Sequence, residues 1–149
     1  MAAIAQRVQL SQAECLRLLG GVRYGRVVFT TGALPAVRLA SHLADRDQII
    51  ICASLGAAVS PGPDGTGPVV AYEADQVNAD QWSGWSVVVV GRAAVVADEQ
   101  LAARYRESLR PAWTDEQASQ VITITAELVT GYRIGPGSAA AAGPPALAG

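Results

Sequence analysis

Few side chains in this sequence could do chemistry, and most of them stand alone. His42 is the only histidine in 149 residues, and it titrates near neutral pH. No nucleophile–base pair accompanies it. Its place at a strand end beside a turn favours a structural or surface role over catalysis. Glu73 and Asp75 look like paired carboxylates, but at i and i+2 on a strand they share one side, which reads as a solvated face. Arg38 sits among apolar residues, so a binding role and a buried partner carry nearly equal weight.

What is missing narrows the choice further. All 11 basic residues are arginine. Without lysine there is no Schiff-base chemistry and no Walker-type phosphate loop. A single histidine excludes a multi-histidine metal site. Cys15 and Cys52 lie far apart with no ligand spacing, and both read as small buried hydrophobes. A net charge of -2 without an arginine stripe leaves no footprint for nucleic acid. There is no disulfide framework, no signal peptide and no apolar run of membrane-spanning length. The expectation is a soluble cytoplasmic protein without membrane or nucleic-acid partners.

The elements that must position these residues are mostly strands. Ser11-Gln12-Ala13-Glu14 forms a capping box, with Leu10 placed to staple against Cys15. The helix it opens stops at Gly20-Gly21. Strands follow at 26–30, 36–42 and 48–53, joined by short turns, which means an antiparallel meander. Residues 55–60 read as one helical turn, and the Pro/Gly run at 61–68 as an exposed loop.

A strand at 69–74 leads to the most telling stretch, Ser83 to Ala93, which continues to Val96. Trp82 and Trp85 open it, and its β-branched run reads as a strand buried on both faces. Gly91 inside it marks a bulge or a close backbone approach. Asp98 caps a second helix ended by Pro111, with Trp113 as an anchor beneath it. Strands at 120–125 and 128–134 complete the set. The expected organisation is a flexible N-terminus (1–9), one domain (10–134) and a disordered Ala/Gly/Pro tail (135–149). The expected fold is α+β, an antiparallel barrel of six or seven strands with two helices.

The order of blocks resembles a known family. Gly25-Arg26-Val27-Val28-Phe29 is followed by Leu34-Pro35-Ala36-Val37-Arg38 and Val70-Ala71-Tyr72-Glu73-Ala74-Asp75. Then come Gly84-Trp85-Ser86-Val87-Val88-Val89 with Gly91, and Val129-Thr130-Gly131-Tyr132-Arg133-Ile134. Together they are similar to the pyridoxamine 5'-phosphate oxidase-like, FMN-binding split-barrel proteins, in their short bacterial branch. The resemblance implies a homodimer with a flavin in each groove between two barrels. It implies FMN as cofactor, with the deazaflavin F420 as the alternative, and a cofactor site at Arg38, Leu39, Ser41, His42, Ser54, Trp85 and Ser86. In this implied site Ser41 and His42 serve the ring edge, while Trp85 and Ser86 close the slot.

The chain also departs from the family pattern. Leu39-Ala40-Ser41 stands where Pro-Val-Asn is usual, Cys52-Ala53 where Arg-Thr is usual, and Gly56-Ala57-Ala58 where a Gly-Ser-Lys or Gly-Thr-Lys run is usual. Charge-assisted contacts contribute roughly 1.5–3 kcal/mol each, so losing two weakens FMN by about two orders of magnitude or more unless Arg38, Arg26 or Arg92 replaces them. Two functions follow as expectations. One is a flavin-dependent oxidoreductase, since the flavin itself carries the redox chemistry. The other is a non-catalytic ligand-binding or cofactor-free dimeric scaffold.

Overall fold

The computed structural model describes residues 6–109 and 119–135. The capping box forms as read: the Glu14 amide donates to Ser11 Oγ at 3.2 Å, and the Ser11 amide donates to the Glu14 carboxylate at 3.2 Å. It opens α1 (Gln12–Gly20), which turns Cys15 and Leu19 into the core. Leu10 is buried in the same cluster. Ser11→Ala should therefore cost about 1 kcal/mol of stability, seen as a lower urea midpoint at unchanged slope.

The strands are β1 (Gln6–Gln9), β2 (Tyr24–Thr31), β3 (Leu34–Asp45), β4 (Gln48–Ala53), β5 (Val69–Asn78), β6 (Ser83–Val95) and β7 (Gln120–Gly135). α2 (Glu99–Leu109) starts as expected, with the Gln100 and Leu101 amides donating to Asp98 Oδ1 at 2.9 and 3.1 Å. Every pairing is antiparallel. The order β7-β4-β3-β2-β5-β6 closes on itself through β6–β7, and β1 adds to the second half of β7. The result is the expected α+β barrel, six strands around with a seventh appended. Residues Gln6–Gln9, expected to be flexible, are the appended strand.

Two further readings need correction. Residues 128–134 are not a separate strand but the continuation of β7, which passes a bulge where Val90 pairs with Leu128 and Gly91 with Ala126. The β6 run is not covered on both faces by its own chain. Val87 and Val89 are fully buried inside the barrel, whereas Val88 and Val90 are half-buried on its outer surface. β4 is the instructive contrast. Ile49 and Ile51 face the barrel core, while Ile50 and Cys52 pack outward into a second cluster with Ala102 and Leu109 of α2. A helix explains the apolar outer face of β4; among the described residues nothing equivalent lies over β6. Trp113 and the tail beyond Gly135 lie outside the described residues.

The barrel is also split. Leu34–Ala40 of β3 pairs with β2 only, because the β3–β4 register begins at Ser41↔Cys52. Near this gap lies the expected helical turn, a 3-10 turn at Gly56–Val59. The Gln120 side chain holds it: its carbonyl oxygen accepts from the Leu55 and Gly56 amides, both at 3.0 Å.

Candidate functional site

Strand register sorts the sequence-derived candidates by face. On β3, Ala40 and His42 point into the barrel, and Val37, Leu39 and Ser41 point outward. On β6, Trp85 points in and Ser86 out. The seven candidates therefore do not converge on one slot.

His42 is a structural residue. It is 4% exposed, and both ring nitrogens are engaged. Nε2–H donates to the Leu19 carbonyl at 2.8 Å, tying the end of α1 to β3. Nδ1 lies 2.6 Å from the Tyr72 hydroxyl, whose oxygen is also 3.1 Å from the Ala40 carbonyl. A neutral imidazole that accepts from Tyr72 satisfies this arrangement. Burial pushes the His42 pKa below its usual value and the Tyr72 pKa well above the phenol range. A histidine kept neutral inside the fold but free to charge when unfolded contributes stability above pH ~6.5 that is lost as pH falls. Stability should decline from about pH 6.5 downward, and His42→Asn should remove that part of the decline in urea titrations at several pH values. Trp85, 5% exposed, packs into the core and also lines a hollow of 580 Å³ with Leu18, Gly84 and Ile134.

The remaining candidates are surface residues or lie just beneath the surface. Leu39 is 50% exposed beside Val37 on the outer face. Ser41, next along that face, is 2% exposed, and its Oγ has no hydrogen-bond partner. A buried hydroxyl without a partner costs free energy and calls for an explanation. Ser54 is exposed just after β4. Arg38 reaches over the Phe29 ring at 5.5 Å, and its guanidinium donates to the Val37 carbonyl at 3.0 Å.

Among the three arginines weighed as replacements for a lost anion contact, only Arg38 meets no carboxylate among the described residues. Arg92 is 3.7 Å from Glu127 and donates to the Gly67 carbonyl. Arg26 donates to Glu73 Oε1 at 2.9 Å and to Asp75 Oδ2 at 3.4 Å.

That last pair of contacts is what sequence reasoning missed. Glu73 and Asp75 do share the outer face, but not as a solvated pair. Ser86 Oγ donates to Glu73 Oε2 at 3.4 Å, completing a polar strip Arg26–Glu73–Ser86 across β2, β5 and β6. Burial, then the hydrogen bond and charge of Asp75, push the Glu73 pKa up to about 7, with Arg26 pulling the other way. A charge-pairing pattern was visible at i and i+2; the cross-strand arginine that engages it was not.

The strip is flanked by an apolar row in strict register, Val37↔Val28↔Ala71↔Val90↔Leu128, running over five strands. Two hollows border it. One, of 400 Å³, includes Tyr24, Arg26, Leu39 and Asp75. The other, of 460 Å³, includes Arg7, Ser86 and Tyr132. Both sizes suit small-molecule sites. Val37, Leu39 and Ser86 share the outer face, whereas Arg38 pairs with the buried Val27 and lies on the other face of β3. Among the described residues, no group of histidine, cysteine and carboxylate side chains could hold a metal ion. No helix among them is long and apolar enough to cross a membrane.

Comparison with known proteins agrees with this architecture. The profile of a family described as pyridoxamine 5'-phosphate oxidase matches residues 11–140. An uncharacterized protein of Mycobacterium tuberculosis is 44% identical over 131 residues, 85% of each chain. The FAD binding protein from Mycobacterium smegmatis superposes with a TM-score of 0.61 at 23% identity, over 86% of this chain and 98% of that one. A FAD-binding protein from Mesorhizobium loti does so with a TM-score of 0.68 at 20% identity, over 88% and 98%. At such identities the structural likeness is one of fold.

Proposed function

Because the chain belongs to the pyridoxamine 5'-phosphate oxidase family, we propose that it binds a flavin on the outer face of its barrel, where two copies meet, and works as an oxidoreductase. FMN is the first choice and the deazaflavin F420 the alternative. The observation that carries this reading is the family match over residues 11–140, taken with the FAD-binding proteins of the same fold. The half-buried outer valines of β6 support a second copy as their cover, since no helix among the described residues does for β6 what α2 does for β4.

The residues divide the work by their chemistry. Leu39 and Val37 offer apolar contact to a ring face. The half-buried Ser86 hydroxyl supplies a hydrogen bond to a polar edge. Arg38, which meets no carboxylate among the described residues, is on the other face of β3, so an anionic tail would reach it around the strand's unpaired edge. The bound flavin would supply hydride transfer, and the protein would orient it and exclude water.

One observation favours a non-catalytic reading. The Gly56 turn has Ala57 and Ala58 without side-chain donors, and Gln120 already accepts from the Leu55 and Gly56 amides. The anion grip is then Arg38 alone, which suits a weak carrier.

The test is the visible spectrum of purified protein titrated with FMN and, separately, with F420. Uptake at micromolar concentration or tighter, retained through desalting, with a shifted absorption band, is the expected result. A chain that takes up neither remains a cofactor-free scaffold, and the redox reading fails.

A further inference from the structure

The hollow of 460 Å³ on the outer side of β1, β7 and β6 has a chemistry of its own. Gln9, Tyr132 and Ser86 form one register row across these strands. Arg7 and Thr130 sit two residues along from Gln9 and Tyr132, on the same side. All five side chains line the hollow. Ser86 turns its hydroxyl to Glu73, but Arg7, Gln9, Thr130 and Tyr132 each carry a hydrogen-bond donor. Among the described residues, no carboxylate lines this hollow.

Arg7 sets its charge. Its guanidinium lies 4.9 Å from the centroid of the Tyr132 ring. That contact fixes where the cation stands without giving its N–H groups an oxygen acceptor. The outer-face arginines Arg26 and Arg92 each meet a carboxylate; among the described residues Arg7 meets none.

The strand that carries Arg7 points the same way. β1 pairs with β7 alone, and it leaves Gln6, Arg7 and Gln9 exposed with Val8 only half-buried. It therefore adds little to the core. What its pairing does fix is the place of Arg7 and Gln9 beside Tyr132.

We propose that this hollow binds the oxyanion of a small molecule, a phosphate ester or a carboxylate. Arg7 is the charged anchor, held in position by the Tyr132 ring, and Gln9, Thr130 and the Tyr132 hydroxyl donate to the remaining oxygens. Its size suits a small organic ligand. The site stands apart from the flavin reading, which gives the anion to Arg38 on β3, and it needs no second copy.

Isothermal titration calorimetry of the full chain at low ionic strength tests this, with glycerol phosphate, succinate and uncharged glycerol as probes. At least one of the two anions should bind at millimolar concentration or tighter, and glycerol should not. Binding of one anion alone identifies the source of the oxyanion. Arg7→Ala should weaken the bound anion by roughly tenfold, the low end for a charge-assisted contact because the site is open to solvent. If that variant loosens β1 by circular dichroism, Arg7→Gln keeps much of the stem and removes only the charge. Arg92→Ala removes the same charge elsewhere on the surface and should leave binding unchanged. Failure of both anions to bind, or unchanged binding in the Arg7 variants, overturns the site. So does an equal loss in Arg92→Ala, which would mean general charge attraction. A loss confined to Arg38→Ala would place the probe at the flavin's anion contact and overturn the site as well.

Discussion

Arg38→Ala should weaken FMN by roughly 10- to 150-fold and leave riboflavin binding unchanged. The reasoning is an elimination among charges. Arg26 is committed to Glu73 and Asp75, and Arg92 to Glu127 and the Gly67 carbonyl. Among the described residues, Arg38 alone of the three holds only a backbone carbonyl and the Phe29 ring. A charge-assisted hydrogen bond to phosphate contributes roughly 1.5–3 kcal/mol, which is the stated range in affinity. Riboflavin has no phosphate, so it serves as the internal control. Loss of the exposed cation–π contact costs about 0.5–1 kcal/mol of stability, too little to unfold the chain. Equal loss of both ligands would mean that Arg38 supports the fold instead of reading the phosphate. Unchanged FMN affinity would remove it from the site.

Gly91→Ala should be strongly destabilising for so mild a change in chemistry. A Cβ at Gly91 would lie 1.8 Å from the Thr125 carbonyl oxygen and 2.7 Å from its carbon. These are backbone atoms of the facing strand, so no side chain can swing aside. The contact falls at the bulge between β6 and β7, the pairing that closes the barrel. Relief requires parting the two strands, which loses ladder hydrogen bonds and opens the core beside Val89 and Ile124. We expect about 2–4 kcal/mol of destabilisation, read from urea unfolding. Gly62→Ala, whose added methyl would meet nothing closer than 3.6 Å, should change stability by less than about 0.5 kcal/mol. Equal effects of the two would show that the strands yield easily at the bulge.

Residue pattern alone determined the elements and the fold class. The capping box, the meander of β2 to β4, the 3-10 turn, the Asp98 cap and the close approach at Gly91 are all local events. Each is dictated by hydrogen-bonding side chains, β-branched runs or a missing Cβ within a few residues, so each could be read along the chain. The assignment of faces could not. An apolar run looks the same whether a helix covers its outer side, as α2 covers β4, or nothing in the described chain does, as for β6. His42 and Trp85 had the chemistry of site residues, but strand parity turned both inward and left Leu39, Ser41 and Ser86 on the outer face. The Arg26–Glu73 contact joins residues 47 apart in sequence, and only the β2–β5 pairing brings them to 2.9 Å. Charge pairing across strands depends on register, and register is a property of the assembled sheet.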